Sequence, residues 1–148
     1  MIPVFFRHNL ILSLLVLAIM LSIQNKAWAQ EAPHPLVGTW VFDATTSFAQ
    51  LDPGINTILD ETPALRQQFN ASYIGRTLIF TAQGEFTQQM ANNITLRGLW
   101  AIEGQTLVIN YPDGNNYKQE IGRIGPEQLL LIVGNPESIL PQQYFVKQ

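Results

Sequence analysis

Residues 76–133 read RTLIFTAQGEFTQQMANNITLRGLWAIEGQTLVINYPDGNNYKQEIGRIGPEQLLLIV, and this stretch decides the fold. It is a succession of short runs in which apolar and polar residues alternate, separated by turn signals rich in Gly, Asn, Asp and Pro. Alternation of this kind is typical of β-strands, and short links favour antiparallel neighbours. The predicted strands are 76–81, 85–90, 94–103, 106–111, 116–124 and 128–133.

Two further runs flank this block. Residues 36–43 (LVGTWVFD) alternate, and residues 142–147 close the chain. Eight strands with short links predict an up-and-down meander. Closure into a barrel removes the two exposed edges that an open sheet would leave, and eight strands enclose a space for side chains or one small ligand. We therefore expect an all-β, eight-stranded antiparallel up-and-down barrel; the alternative is a strongly bent sheet with helices across its concave face.

The segment 44–75 breaks the strand alternation. Asp52-Pro53 and Thr62-Pro63 each pair an N-capping residue with a proline that suits the first turn of a helix. We predict two short helices after the first strand, at about 53–60 and 63–72. Their apolar residues need a surface to pack on, and the barrel mouth is the expected one, either as a gating lid or as a permanent cap.

Residues 1–29 resemble a cleavable signal peptide. A basic start precedes the apolar run 10–23, which is too short to span a bilayer as a helix. The segment ends in Ala27-Trp28-Ala29, a pattern suited to signal peptidase; an uncleaved anchor is the alternative. The mature protein is then expected to be periplasmic or secreted, with no stable membrane insertion after cleavage. Residues 30–35 would form a flexible leader and 36–148 the barrel domain.

Charge and composition exclude several classes of function. The whole chain has 8 basic and 11 acidic residues, and without residues 1–29 it keeps 119 residues with a net charge of −5. This acidic balance argues against a nucleic-acid partner. The absence of cysteine excludes disulfides and thiol chemistry. After signal cleavage one histidine remains, His34 in the leader, which argues against a catalytic triad or a histidine metal site. We expect no enzyme activity, no metal and no cofactor; the oligomeric state is left open.

Two short motifs carry a family resemblance. Gly38-Thr39-Trp40 matches the GxW signature of lipocalins, and Gly98-Leu99-Trp100 repeats it, followed by Gly104, Leu107 and Ile109 in a G-x-W-x-x-x-G-x-x-L-x-I pattern. The chain resembles the small exported bacterial proteins called lipocalin-like, within the calycin superfamily. The resemblance implies a barrel closed at one end by the first-strand Trp.

The resemblance also implies two features outside the motifs. In lipocalins a basic residue late in the chain packs over the first-strand Trp, and Lys147 and Arg123 are the candidates here. The segment 44–75 is long for a first lipocalin loop. Related fatty-acid-binding proteins carry a pair of short helices at this position, as a lid on the barrel mouth.

Counting alternate residues from the two GxW strands predicts which side chains face the interior. On the last strand these are Tyr144 and Val146. The candidate ligand-binding residues are Phe80, Phe86, Trp100, Tyr111, Tyr117, Gln119 and Arg123, because aromatic walls with a few polar groups suit a small apolar ligand. Gly38, Trp40 and Gly98 are assigned structural roles. The first function hypothesis is binding of a small hydrophobic ligand inside the barrel; the alternative is a filled barrel that acts as a protein-interaction or inhibitor module of the cell envelope.

Overall fold

A computed structural model describes residues 32–148 of the chain, and the predicted signal peptide, residues 1–29, lies outside the described residues. The elements in chain order are β1 (Gly38–Phe42), α1 (Ala44–Phe48), α2 (Pro53–Glu61), α3 (Pro63–Tyr73), β2 (Thr77–Phe80), β3 (Glu85–Gln89), β4 (Thr95–Glu103), β5 (Thr106–Asn110), β6 (Asn116–Ile124), β7 (Gln128–Ile132) and β8 (Gln142–Lys147).

The strands form a closed barrel in which each strand is antiparallel to the next. The last strand, β8, returns to pair with β1 through Trp40 and Lys147, Val41 and Val146, and Phe42 and Phe145. The predicted all-β, eight-stranded antiparallel up-and-down barrel is confirmed, and the alternative of an open bent sheet is wrong. Closure leaves no unpaired edge among these eight strands, which is the physical advantage that favoured it.

Both predicted helices are present, as α2 and α3. The Asp52 side chain caps α2 by accepting a hydrogen bond from the Gly54 amide at 2.8 Å. Thr62 precedes α3, but its side chain makes no capping hydrogen bond. The additional one-turn helix α1 was not predicted. The Asp43 carboxylate caps it at the Thr46 amide, 3.0 Å away, and the buried Ser47 hydroxyl in it accepts from the Tyr144 amide of β8 at 2.8 Å.

One face of each strand points into the barrel. The interior and the undersides of the helices share one apolar core, whose members are Leu36, Trp40, Phe42, Leu51, Leu59, Phe69, Leu78, Phe80, Phe86, Leu107, Ile109, Leu129, Leu131, Leu140 and Phe145. Burying this apolar surface is the main favourable term in folding. Ile58 of α2 and Leu65 of α3 stay 51% and 41% exposed, so the helices do not bury all of their apolar residues.

The predicted orientation of the last strand is wrong. Phe145 and Gln143 face inward, at 1% and 6% exposure, whereas Val146 is 38% exposed on the outside. Tyr144 also points outward. The register explains the difference, because Phe145 pairs with the inward Leu129 of β7 and with the inward Phe42 of β1.

Within residues 32–148, no helix has the length and apolar character needed to cross a membrane.

Gly98 on β4 lies where the backbone of the neighbouring chain segment comes very close. A Cβ atom at this position would stand 2.6 Å from the Asn110 carbonyl oxygen and 3.2 Å from the Ile109 Cγ2 atom. A backbone carbonyl in a strand cannot move aside as a flexible side chain can. The glycine is therefore required by packing.

We predict that Gly98→Ala lowers the free energy of unfolding by about 1–3 kcal/mol, because the added methyl group overpacks the sheet. Gly134→Ala is the matched control, since a Cβ atom there meets nothing within 4 Å; its effect should stay within about 0.5 kcal/mol. Urea unfolding of the two variants measures both values, and equal stabilities would contradict the packing argument.

Candidate functional site

One end of the barrel is plugged by Trp40. Its side chain is fully buried, and its indole Nε1 donates a hydrogen bond to the Leu36 carbonyl at 2.8 Å. The Lys147 ammonium lies 5.0 Å from the centre of the Trp40 ring and donates to the Pro35 carbonyl at 3.3 Å. Lys147 thus occupies the place over the first-strand Trp that the lipocalin resemblance implies, and Arg123 does not.

Gly38 provides the space for this arrangement. Its φ of +139° lies in a region that glycine adopts readily and other residues rarely do. A Cβ atom at this position would lie 2.6 Å from the Lys147 Cε atom. The missing side chain therefore makes room for the lysine stem over Trp40, whereas Gly98 makes room for the neighbouring backbone.

Three of the predicted ligand-binding residues lie at this plugged end. Phe80 packs against Phe86 and Trp100, with ring centres 5.2 and 5.7 Å apart. The Trp100 indole donates to the Thr81 carbonyl at 3.0 Å, and the His34 ring lies 5.6 Å from the Trp100 ring. These aromatic side chains fill the barrel and do not line the cavity described next.

The opposite end of the barrel contains a cavity of about 360 Å³. Its walls are inward-facing residues of six strands together with residues at the end of α3, directly before β2, directly after β5 and in the loop before β8. They are Tyr73, Arg76, Leu78, Gln88, Leu96, Tyr111, Tyr117, Gln119, Leu131, Val133, Ser138, Gln143 and Phe145. Of the predicted ligand-binding residues, Tyr111, Tyr117 and Gln119 line this cavity. The structure therefore divides six of the seven predicted residues equally between a filled end and an open end.

The helices cover the mouth from one side. The ring of Tyr73, at the end of α3, packs against the ring of Phe42 in β1, with the ring centres 5.6 Å apart. The ring centres of Phe48 in α1 and Phe69 in α3 are 5.1 Å apart. These contacts hold the helical segment against the β1 and β8 side of the barrel. On the other side Tyr117 remains 43% exposed and Leu96 41% exposed. The cavity is thus partly covered and stays open toward β4 and β6.

Arg76 stands where the helical cover meets the cavity. Its Nη1 donates to the Gln143 Oε1 at 2.9 Å, and its Nη2 donates to the Ser72 carbonyl at 3.1 Å. Its guanidinium carbon lies 4.7 Å from the centre of the Tyr73 ring. Burial lowers the pKa of Arg76, while Tyr73 and Tyr117 oppose the shift; the guanidinium is still charged at neutral pH.

Sequence reasoning missed Arg76, Tyr73 and Gln143. Arg76 was the first residue of the predicted strand 76–81 and shares the inward parity of Leu78 and Phe80, so counting the inward positions from the start of that strand would have found it. Gln143 was hidden by the wrong orientation of the last strand. Tyr73 ends a helix, and no strand pattern indicates where its side chain lies.

Arg123, the remaining predicted ligand-binding residue, lies on the outside. The pairing of β6 with β7 shifts between Ile121 and Arg123, so that Ile121 opposes Leu131 and Arg123 opposes Leu130. A β-bulge of this kind inserts one residue and reverses the alternation beyond it. Arg123 is exposed for that reason, near Pro126 and Glu127 on the outer surface.

Two further concave surfaces lie outside the barrel. A depression of about 610 Å³ forms where β4 extends past the end of β5, and Phe86, Arg97 and Tyr111 are among the residues around it. An apolar groove of about 360 Å³ lies between α2, α3 and Ile139. Within residues 32–148, no group of three or more His, Cys, Asp or Glu side chains is placed to hold a metal ion.

The chain is similar to a DUF4847 family protein from Bacteroides vulgatus whose crystal structure is known. The two chains are 22% identical, the match covers 75% of this chain and 94% of that chain, and the TM-score is 0.46. No family model and no curated protein matches the chain. The similarity assigns neither a ligand nor an activity.

Two of the three tyrosines that line the cavity, Tyr111 and Tyr117, have raised pKa values and stay protonated into the alkaline range. Burial raises the pKa of Tyr111, and the neighbouring Tyr117 and Asp113 raise it further. Burial also raises the pKa of Tyr117; Arg76 opposes that shift and Tyr73 adds to it. At neutral pH both hydroxyls are therefore able to donate and to accept hydrogen bonds at the mouth.

These shifts predict a loss of stability at high pH. Because the unfolded chain releases the tyrosine protons at about pH 10 and the folded chain only above that, the folded state binds more protons there. Their contribution is complete below about pH 10 and is lost as pH rises through the folded pKa values. Urea unfolding between about pH 8 and pH 11 should show a smaller decline in the double variant Tyr111→Phe, Tyr117→Phe than in the wild type. Equal declines would contradict the raised pKa values.

Proposed function

We propose that the protein binds a small organic molecule in the cavity at the open end of its barrel. The observation that carries this proposal is the unequal filling of the interior, with closely packed aromatic side chains at one end and a cavity of about 360 Å³ at the other. Ligand pockets range from about 300 to 1,000 Å³, so this cavity suits a ligand at the small end of that range.

The walls of the cavity indicate an amphiphilic ligand rather than a purely hydrophobic one. Leu131 and Phe145 form buried apolar walls at 1% exposure each, and Leu78 adjoins them at 4%. Gln88 and Gln119 place amides on the same inward surface, and the charged Arg76 stands at the helical cover. An apolar body with one polar group matches this division of the lining.

Other features of the chain support a relation to lipocalin-like proteins, export from the cytoplasm, and binding without catalysis. The two GxW motifs and Lys147 over Trp40 support a relation to lipocalin-like proteins. The apolar run and Ala-Trp-Ala pattern within residues 1–29 support export to the periplasm or the medium. The absence of histidine from the cavity lining supports binding without catalysis.

Native mass spectrometry of the protein purified from its own host provides the direct test. Cavity binding predicts a reproducible non-covalent adduct of small mass that disappears on denaturation. The same preparation after extraction and refolding is the control, and it should show the bare chain. Repeated absence of any adduct from freshly isolated protein would count against a resident ligand.

A steric variant tests the place of binding. Val133 lines the cavity, whereas Val146 lies on the outer surface of the barrel. We predict that Val133→Trp weakens binding of the neutral dye N-phenyl-1-naphthylamine about tenfold or more, equivalent to about 1.4 kcal/mol, because the indole occupies the mouth. Fluorescence titration measures the affinity.

Val146→Trp is the matched control, since it adds the same side chain outside the cavity. It should leave the dye affinity within about twofold of the wild type, which is within about 0.5 kcal/mol. Unchanged binding in both folded variants would place the dye elsewhere and contradict the cavity proposal.

The groove between the helices favours a second candidate function, protein interaction. Ile58, Leu65 and Ile139 are 51%, 41% and 50% exposed around it. Adjacent exposed apolar residues mark many interaction sites. Ile58→Ser distinguishes the two candidates, because it should reduce dye binding only where the dye occupies the groove.

A further inference from the structure

Two hydrogen-bond donors of the cavity lining have no partner among the described residues. Gln119 is 6% exposed, and its Nε2 makes no hydrogen bond. The Arg76 Nε is also buried without an acceptor, although the Nη1 and Nη2 of the same guanidinium are both bonded. A buried donor without a partner costs free energy comparable to a lost hydrogen bond. Both donors belong to residues that line one cavity.

The cavity lining also carries a positive charge and no negative charge. Among its thirteen lining residues, all within the described part of the chain, Arg76 is the one charged side chain. Within residues 32–148 no carboxylate forms an ion pair with Arg76; the ion pairs there join Arg66 to Asp60 and Lys118 to Glu103. A partly buried guanidinium without a counter-ion attracts an anion, because the low local dielectric strengthens the interaction.

From these two observations we infer that the ligand is a small monoanion, a carboxylate with an apolar body, whose head group accepts hydrogen bonds from Arg76 and Gln119. This inference rests on the proposed function and names the class of ligand for the same cavity. The apolar body would lie against Leu78, Leu131 and Phe145, which form the buried part of the lining.

The same lining disfavours the other charge classes. A cationic head group would meet the Arg76 charge without any lining carboxylate to offset it. A phosphate dianion would bring two charges to a cavity that supplies one, and burying the uncompensated charge is costly. A neutral alcohol or amide can accept hydrogen bonds but has no negative charge to strengthen those from the guanidinium.

Matched probes with one chain length and different head groups test the inference. Decanoate and decanol share the apolar body and differ in charge. Protein expressed from the full 148-residue sequence in an exporting host is titrated with each probe in competition with N-phenyl-1-naphthylamine. We expect decanoate to bind about tenfold or more tightly than decanol, since hydrogen bonds to a charged partner are the stronger class.

The outcomes separate the inference from the proposed function. Tighter binding of decanoate supports both. Equal binding of the two probes, or tighter binding of decanol, overturns the carboxylate inference and leaves the cavity as a binding site. Failure of both probes to displace the dye, or to bind at all, overturns binding of small amphiphiles in the cavity and the inference with it.

Two variants assign the effect to the named donors. Arg76→Gln removes the charge and should lower the ratio of decanoate affinity to decanol affinity about tenfold. Gln119→Leu removes the second donor and should reduce the decanoate preference by a smaller factor. A decanoate preference that survives both changes in folded protein would overturn the assignment.

Arg97→Gln is the charge-matched control, because Arg97 is exposed on the outer surface and pairs across the sheet with Thr87. It should keep the full decanoate preference. If Arg76→Gln does not fold, the ratio of decanoate to decanol affinities in the wild type and in Gln119→Leu still decides the question.

Discussion

The pairing of β8 with β1 is the constraint on which the rest of the structure depends. This short ladder sets Lys147 opposite Trp40 and Phe145 opposite Phe42. One register therefore places the lysine over the indole at the plugged end and an apolar wall beside the cavity at the other end. A slip of one residue would send each of these side chains to the opposite face of the sheet, so closure and the contents of the barrel are fixed together.

The interior changes character along the barrel axis because successive inward layers use different side chains. Aromatic rings at Phe80, Phe86 and Trp100 occupy the plugged end, where an eight-stranded barrel has little space left once such rings are packed. Toward the mouth the inward positions include Gln119 and Gln143. Their side chains are narrower than aromatic rings and bring polar atoms inside. The two ends of one continuous sheet therefore differ. Packed aromatic rings fill one end, and the other keeps a cavity lined by apolar, aromatic and amide side chains.

The sequence predicted the strands, the closure and two of the three helices, because alternation and proline signals are local properties. It failed where a tertiary feature reset the alternation. The bulge before Arg123 reversed the orientation of that residue. A long loop precedes β8, so no tight hairpin indicated which residues of that strand face inward. Lys147 was one of two candidates for the place over Trp40, and choosing it would have required odd-numbered residues of β8 to face inward. That choice would have identified Gln143. The candidate site was only half predictable, since Tyr73 and Arg76 come from a helix end and a junction.

Arg76 links the cover to the cavity in energetic terms. Its guanidinium joins the Ser72 carbonyl at the end of α3 to the Gln143 amide of β8, and it lies beside the Tyr73 ring. Burial of this charge is costly, and these contacts offset only part of the cost, because Nε keeps a free donor. An acceptor bound at that donor would strengthen the same set of contacts that holds α3 in place. If the proposed ligand binds at that donor, occupation of the cavity and the packing of the helical cover would stabilise each other. A ligand that binds only the folded form adds stability that grows with the logarithm of its concentration above saturation.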